Sequence, residues 1–166
     1  MVLLGITLFI FFVVESNLKG NSVYYARHSP SMNHRELELA MLAENVDYMP
    51  EVHGFKYKYK STLIHSIKNE SRNTYFSSDF DDDHNHEYTY KDEIEKSYYF
   101  NQNFKLQDII DFGEGMKHLD ISTVDGDKIK NEIYENFKPV LQELERDDPL
   151  INLQWVFNWV YRDRIN

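Results

Sequence analysis

Apolar residues recur along this chain at three spacings, and each spacing predicts a different element. At the N-terminus the run from Val2 to Val14 (VLLGITLFIFFVV) carries no charge and stops at Glu15. Thirteen residues fall short of the roughly 20 needed to span a bilayer. They fit the apolar region of a secretory signal peptide, about 7–15 residues long. Residues 1–16 are therefore expected to be a cleavable signal peptide, cut after Ser16, although the segment before the run offers no Lys or Arg. The polar stretch 17–32, with Tyr24 and Tyr25 as its only aromatic anchor, is expected to be a loosely ordered lead-in. Asn33 followed by Glu36 has the spacing of a helix-capping box. The strong helix formers RELELAMLAEN predict a short helix with Leu37, Ala40 and Met41 on its inner side.

The period then changes. Phe55, Tyr57 and Tyr59 alternate with Lys56, Lys58 and Lys60, the two-residue repeat of a half-buried strand. Thr62 to Ile67 pairs back on it to make a short antiparallel hairpin, whose lysine side reads as a solvated strand face. Residues 70–92 are polar and acidic and are expected to form a mobile loop. Between Phe104 and Phe112 the residues Leu106, Ile109 and Ile110 step at three and four, a helical pattern closed by Gly113.

The C-terminal forty residues carry the clearest periodicity. From Asp127 to Glu145, residues Ile129, Ile133, Phe137, Val140, Leu141 and Leu144 form one apolar stripe, and Asp125 offers a cap. Pro139 predicts a kink near Phe137 and Lys138. A second helix is expected to start at Asp148 and Pro149, a cap followed by a first-turn proline. Leu150, Leu153, Val156, Phe157, Val160 and Tyr161 line one of its faces. Ile151, Trp155 and Trp159 fall on a separate ridge. A helix apolar on two sides must bury both, so the ridge either packs on the N-terminal half or meets a partner. These elements sum to a mainly α domain, or alternatively α+β, spanning 33–166 with one short hairpin.

Composition narrows what such a domain does. A formal charge of -10 excludes phosphate-led nucleic-acid binding, which needs a basic face. The absence of cysteine excludes disulfides, thiolate nucleophiles and Cys-ligated zinc. One glycosylation acceptor stands at Asn69, in Asn69-Glu70-Ser71. Tyr88 and Tyr90, set among acidic residues, are candidates for sulfation on the secretory route. Arg35-Glu36-Leu37 resembles, over three residues, the R-x-L host-targeting motifs of secreted pathogen proteins, but Glu38 and Leu39 depart from the two known continuations.

The densest group of potential ligands is in the acidic segment. Asp81, Asp83, His84 and His86 offer carboxylates and imidazoles for zinc, copper or calcium. Counting from Asp81, Asp92 takes the twelfth position of a calcium loop, yet His86 stands where that loop needs glycine. No Gly-x-Ser-x-Gly elbow, Walker loop or dinucleotide fingerprint occurs, and His86-Glu87 lacks the second histidine of a zincin helix. The expectation is a secreted, non-enzymatic binding protein without a cofactor. It would contact a protein partner, a second copy or an apolar small molecule through Ile151, Trp155 and Trp159. Metal binding by the acidic segment is one alternative; an effector-like role or a hydrolase with a dispersed site is another.

Overall fold

The computed structural model describes residues 2–59, 65–80, 85–113, 115–145 and 148–165. The chain opens with α1 (Val2–Gly20), α2 (Ser22–Arg27) and α3 (His34–Asn45), followed by a short 3-10 turn, Val46–Tyr48. Seven strands come next: β1 (Phe55–Tyr59), β2 (His65–Asn69), β3 (Thr74–Phe80), β4 (His86–Lys91), β5 (Lys96–Phe100), β6 (Leu106–Asp111) and β7 (Lys117–His118). A second 3-10 turn (Ile121–Thr123) leads to α4 (Gly126–Leu144), α5 (Gln154–Val160) and α6 (Arg162–Ile165).

The expectation of a mainly α fold is overturned: the strands form one antiparallel sheet in the order β1-β2-β3-β4-β5-β6-β7, an α+β architecture. Helices cover one of its faces. A single row crosses that face through Tyr57, Ile67, Phe76, Tyr90, Tyr98 and Ile109, each paired in register with the next. All but Tyr57 are buried. The segment expected to be a mobile loop, 70–92, holds β3 and β4. Its Tyr, Phe and Thr residues are good strand formers. The tyrosines fill the core because their hydroxyls find partners there, Glu44 for Tyr88, Glu132 for Tyr90 and Asp92 for Tyr98. Their burial also withdraws Tyr88 and Tyr90 from any sulfating enzyme once the chain has folded.

The residues expected to make a helix at 104–112 form β6 instead. Apolar steps of three and four over so short a stretch do not separate helix from strand. What decides is that β5 presents an unpaired edge and that Ile109 falls opposite Tyr98. The expected loose lead-in, 17–32, holds the end of α1 and all of α2, with Val23, Tyr24, Tyr25 and Ala26 buried. Helix α3 is buried nearly all round, from Leu37 to Ala43. It lies between α2, α4 and the sheet, so it is the axis of the fold. Its Glu38, buried with them, is held by Arg27 at 3.0 Å and 2.5 Å. Arg35 bonds Asn131 and lies over the Tyr134 ring, so the R-x-L triplet is part of the α3–α4 packing.

Helix α4 lies within one residue of its expected bounds at each end. Asp125 caps it, accepting from the backbone N–H groups of Asp127 and Lys128, and the helix runs unbroken through Pro139. The expected start of the last helix is wrong. Asp148 accepts a hydrogen bond from the Tyr24 hydroxyl at 3.0 Å instead of capping a helix. Residues 148–153 are irregular, and α5 begins only at Gln154, whose N–H is accepted by Asn152 Oδ1 at 2.9 Å.

Candidate functional site

Two surfaces combine chemistry with exposure. The first is the ridge on α5 and the segment before it. Phe157 points from α5 into the core and is fully buried, tilted against Tyr25 and Tyr161. On the other side Trp155 and Trp159, one turn apart, are 73% and 66% exposed, and Ile151 is 53% exposed. Leu150, expected on the inner face, projects into solvent. The ridge sits on a fixed base. The Tyr25 hydroxyl accepts from Leu153 N–H at 3.1 Å and lies 2.7 Å from Asn17 Oδ1 and 3.1 Å from the Ile151 carbonyl. Asn17 Nδ2 donates to that same carbonyl at 3.2 Å, and Gln154 Nε2 donates to the Tyr25 carbonyl at 2.9 Å. These bonds occupy the backbone of 151–153 and explain why no helix forms there.

The second surface is a cleft of about 460 Å³ between the ends of α1 and α3 and the β2–β4 end of the sheet. Lys19, Asp47, His65, Ser78, His86 and Tyr161 are among the residues lining it. Alternation along the strands puts His65, Ser78 and His86 on the helix-facing side. His65 Nδ1 lies 3.0 Å from Asp47. His86 Nδ1 is 3.2 Å from Ser78 Oγ, and its Nε2 is 3.6 Å from Glu44. The Glu44 side chain is only 6% exposed and takes two bonds from Arg164 Nη1, at 2.6 Å and 2.9 Å, plus the Tyr88 hydroxyl, which in turn accepts from Arg164 Nη2. Burial lowers the His86 pKa below its ordinary value; Arg164 and His65 add to this and Glu44 opposes it. A neutral ring whose proton is on Nε2, the side of Glu44, accepts a hydrogen bond from Ser78 Oγ–H at Nδ1. Burial, followed by the Glu44 carboxylate, pushes the Tyr88 phenol well above its usual value.

Ser78, His86 and Glu44 thus stand in the order of nucleophile, base and carboxylate. Two features weaken catalysis there. Glu44 is already neutralised by Arg164. Ser78 sits within β3, paired on both sides with His65 and Tyr88, so its backbone donors point along the sheet rather than toward a developing oxyanion. Sequence reasoning missed this cleft because its parts lie as far apart as Lys19 and Tyr161, and only tertiary packing and sheet register join them.

Of the metal candidates, Asp81, Asp83 and His84 lie outside the described residues. His86 faces Ser78 and Glu44. Asp92 is the β4–β5 turn acceptor, taking the N–H groups of Ile94 and Lys96 at 3.0 Å and 2.8 Å. Among the described residues no group of three or more His, Asp or Glu side chains is placed to hold a metal ion. Asn69 is buried in the β2–β3 turn: its Nδ2 donates to the Asn136 carbonyl at 2.8 Å, and its Oδ1 accepts from Ser71 N–H and Oγ–H. The chain matches no protein-family model, no curated protein and no solved structure.

Proposed function

We propose that this chain is a secreted, non-enzymatic binding protein whose contact surface is the ridge of Ile151, Trp155 and Trp159, extended by Leu150. One observation carries the reading. Two large aromatics stay open to solvent on a helix whose opposite face is sealed into the core by Phe157. Contiguous exposed apolar surface of this kind marks an interaction site, and Trp dominates binding energy once desolvated. Secretion rests on α1, an apolar N-terminal helix compatible with a signal sequence. Changing Trp155 and Trp159 together to Ala tests the surface role. Folding should be unchanged while binding to the protein or apolar partner captured by the wild type is lost. Loss of folding would return the indoles to the core.

A hydrolase is the second reading, favoured by the Ser78, His86 and Glu44 arrangement. It requires that a fluorophosphonate probe label the wild type and fail to label Ser78→Ala.

A further inference from the structure

The position of the ridge relative to α1 identifies an occupant. From Leu3 to Phe12, α1 is exposed on every side, including Leu3, Leu4, Leu8, Phe9, Phe11 and Phe12, each at 60% or more. Packing against the body starts at Val14 and Leu18. No single groove satisfies a helix that is apolar all round; the medium that does is hydrocarbon. Seated there, the arm holds the body at the membrane surface.

It leaves beside the ridge. Asn17, where the arm meets the body, holds the Ile151 carbonyl, and Leu150, Ile151, Trp155 and Trp159 follow from that point. A bilayer that receives α1 therefore meets the molecule where the ridge begins, at Ile151. Indoles favour the headgroup boundary, where an apolar ring and its N–H donor are both satisfied. With a formal charge of -10 the chain gains nothing from anionic lipid, so the contact is apolar.

We propose that the ridge docks on the interfacial zone of a lipid bilayer, with Trp155 and Trp159 seated at the level of the headgroups. This names the partner of the surface described above; it rests on that reading and on α1 staying on the exported chain as an uncleaved anchor instead of being cut after Ser16. Flotation alone does not test it, because α1 tethers the chain to vesicles whatever the ridge does. The indoles do, since Trp155 and Trp159 are the only tryptophans in the chain. The full chain is reconstituted into phosphatidylcholine vesicles whose acyl chains carry bromine near the carbonyl end, and tryptophan emission is measured. Strong quenching is expected, persisting at high salt, in the Trp155→Phe and Trp159→Phe variants as in the wild type. Vesicle-bound chain whose indoles are unquenched overturns the proposal. If those indoles are also shielded from aqueous acrylamide, another chain covers them, and the ridge remains a binding surface without lipid. If they are open to acrylamide, lipid is excluded as the occupant, and the double alanine variant decides the broader reading by itself.

Discussion

Glu44 shows how one buried charge organises its surroundings. Its carboxylate is nearly inaccessible and is held by Arg164 and by Tyr88. Removing one partner of such a pair leaves an unpaired buried charge, which costs more than the pair contributes. Arg164→Met should therefore lower stability by roughly 3 kcal/mol in denaturant titration, and adding Glu44→Gln should restore much of it. An unchanged midpoint would show the pair to be solvated. The neighbouring His86 has a signed pH effect. Its depressed pKa means the fold prefers the neutral ring, so its contribution is whole above 6.5, the ordinary value, and is lost as pH falls through the folded value. Wild type should lose more stability than His86→Gln between pH 7.5 and 5. The tyrosines act in the opposite range. Burial, then Glu132, raises Tyr90, and burial, then Asp92, raises Tyr98. Their contribution is intact below about pH 10 and fades above it. Ultraviolet titration should show Tyr88, Tyr90 and Tyr98 resisting ionisation until alkaline unfolding releases them.

Helix α5 places two kinds of aromatic side by side, and substitution should separate them. Phe157→Ala removes a ring packed against Tyr25 and Tyr161 and should cost about 3–5 kcal/mol. Trp155→Ala and Trp159→Ala, on the exposed side, should each stay within about 0.5 kcal/mol of wild type. A Trp155→Ala loss as large as that of Phe157→Ala would mean the ridge is covered by the protein itself. The β2–β3 turn gives a further prediction at this scale. The Asn69 amide is spent on the Asn136 carbonyl and on Ser71, leaving no edge for a sugar. Mass spectrometry of the folded protein expressed through the secretory pathway should find Asn69 without glycan, and Asn69→Ala should cost about 1–3 kcal/mol for the buried hydrogen bonds it removes.

For the molecule as a whole, the join between α1 and the body divides what is dispensable from what is structural. Ser16 is the last residue before Asn17 and Leu18 enter the network around Tyr25 and the buried core. A chain beginning at Asn17 should retain a cooperative unfolding transition. One beginning at Asn21 should be distinctly less stable, because Ile151 and Tyr25 lose the Asn17 side chain and Leu18 leaves the core. Equal stability of the two would show that α1 contributes nothing to the body. In a chain without cysteine, that body is held by packing, the sheet ladder and the partly buried pairs Arg27 with Glu38 and Arg164 with Glu44.

Some of this was legible in order of residues alone. The apolar N-terminal run, the α3 helix formers, the alternation along β1, the capped and striped α4 and the shared face of Trp155 and Trp159 all rest on local periodicity or on a cap beside its helix; Ile151, expected on the same helical ridge, falls in the irregular segment before α5. The sheet was not legible in this way. Tyrosines and serines among acidic residues look like a solvated loop until a partner lies across from each hydroxyl, and those partners, Glu44, Glu132 and Asp92, come from α3, α4 and a turn. Asp148 is a fitting cap by sequence, but Tyr24 takes its carboxylate from more than a hundred residues away. The cleft of His65, Ser78 and His86 exists only through strand register. Local spacing fixes which face a residue occupies; what that face meets, and whether a polar side chain is satisfied when buried, is decided by contacts remote in the chain.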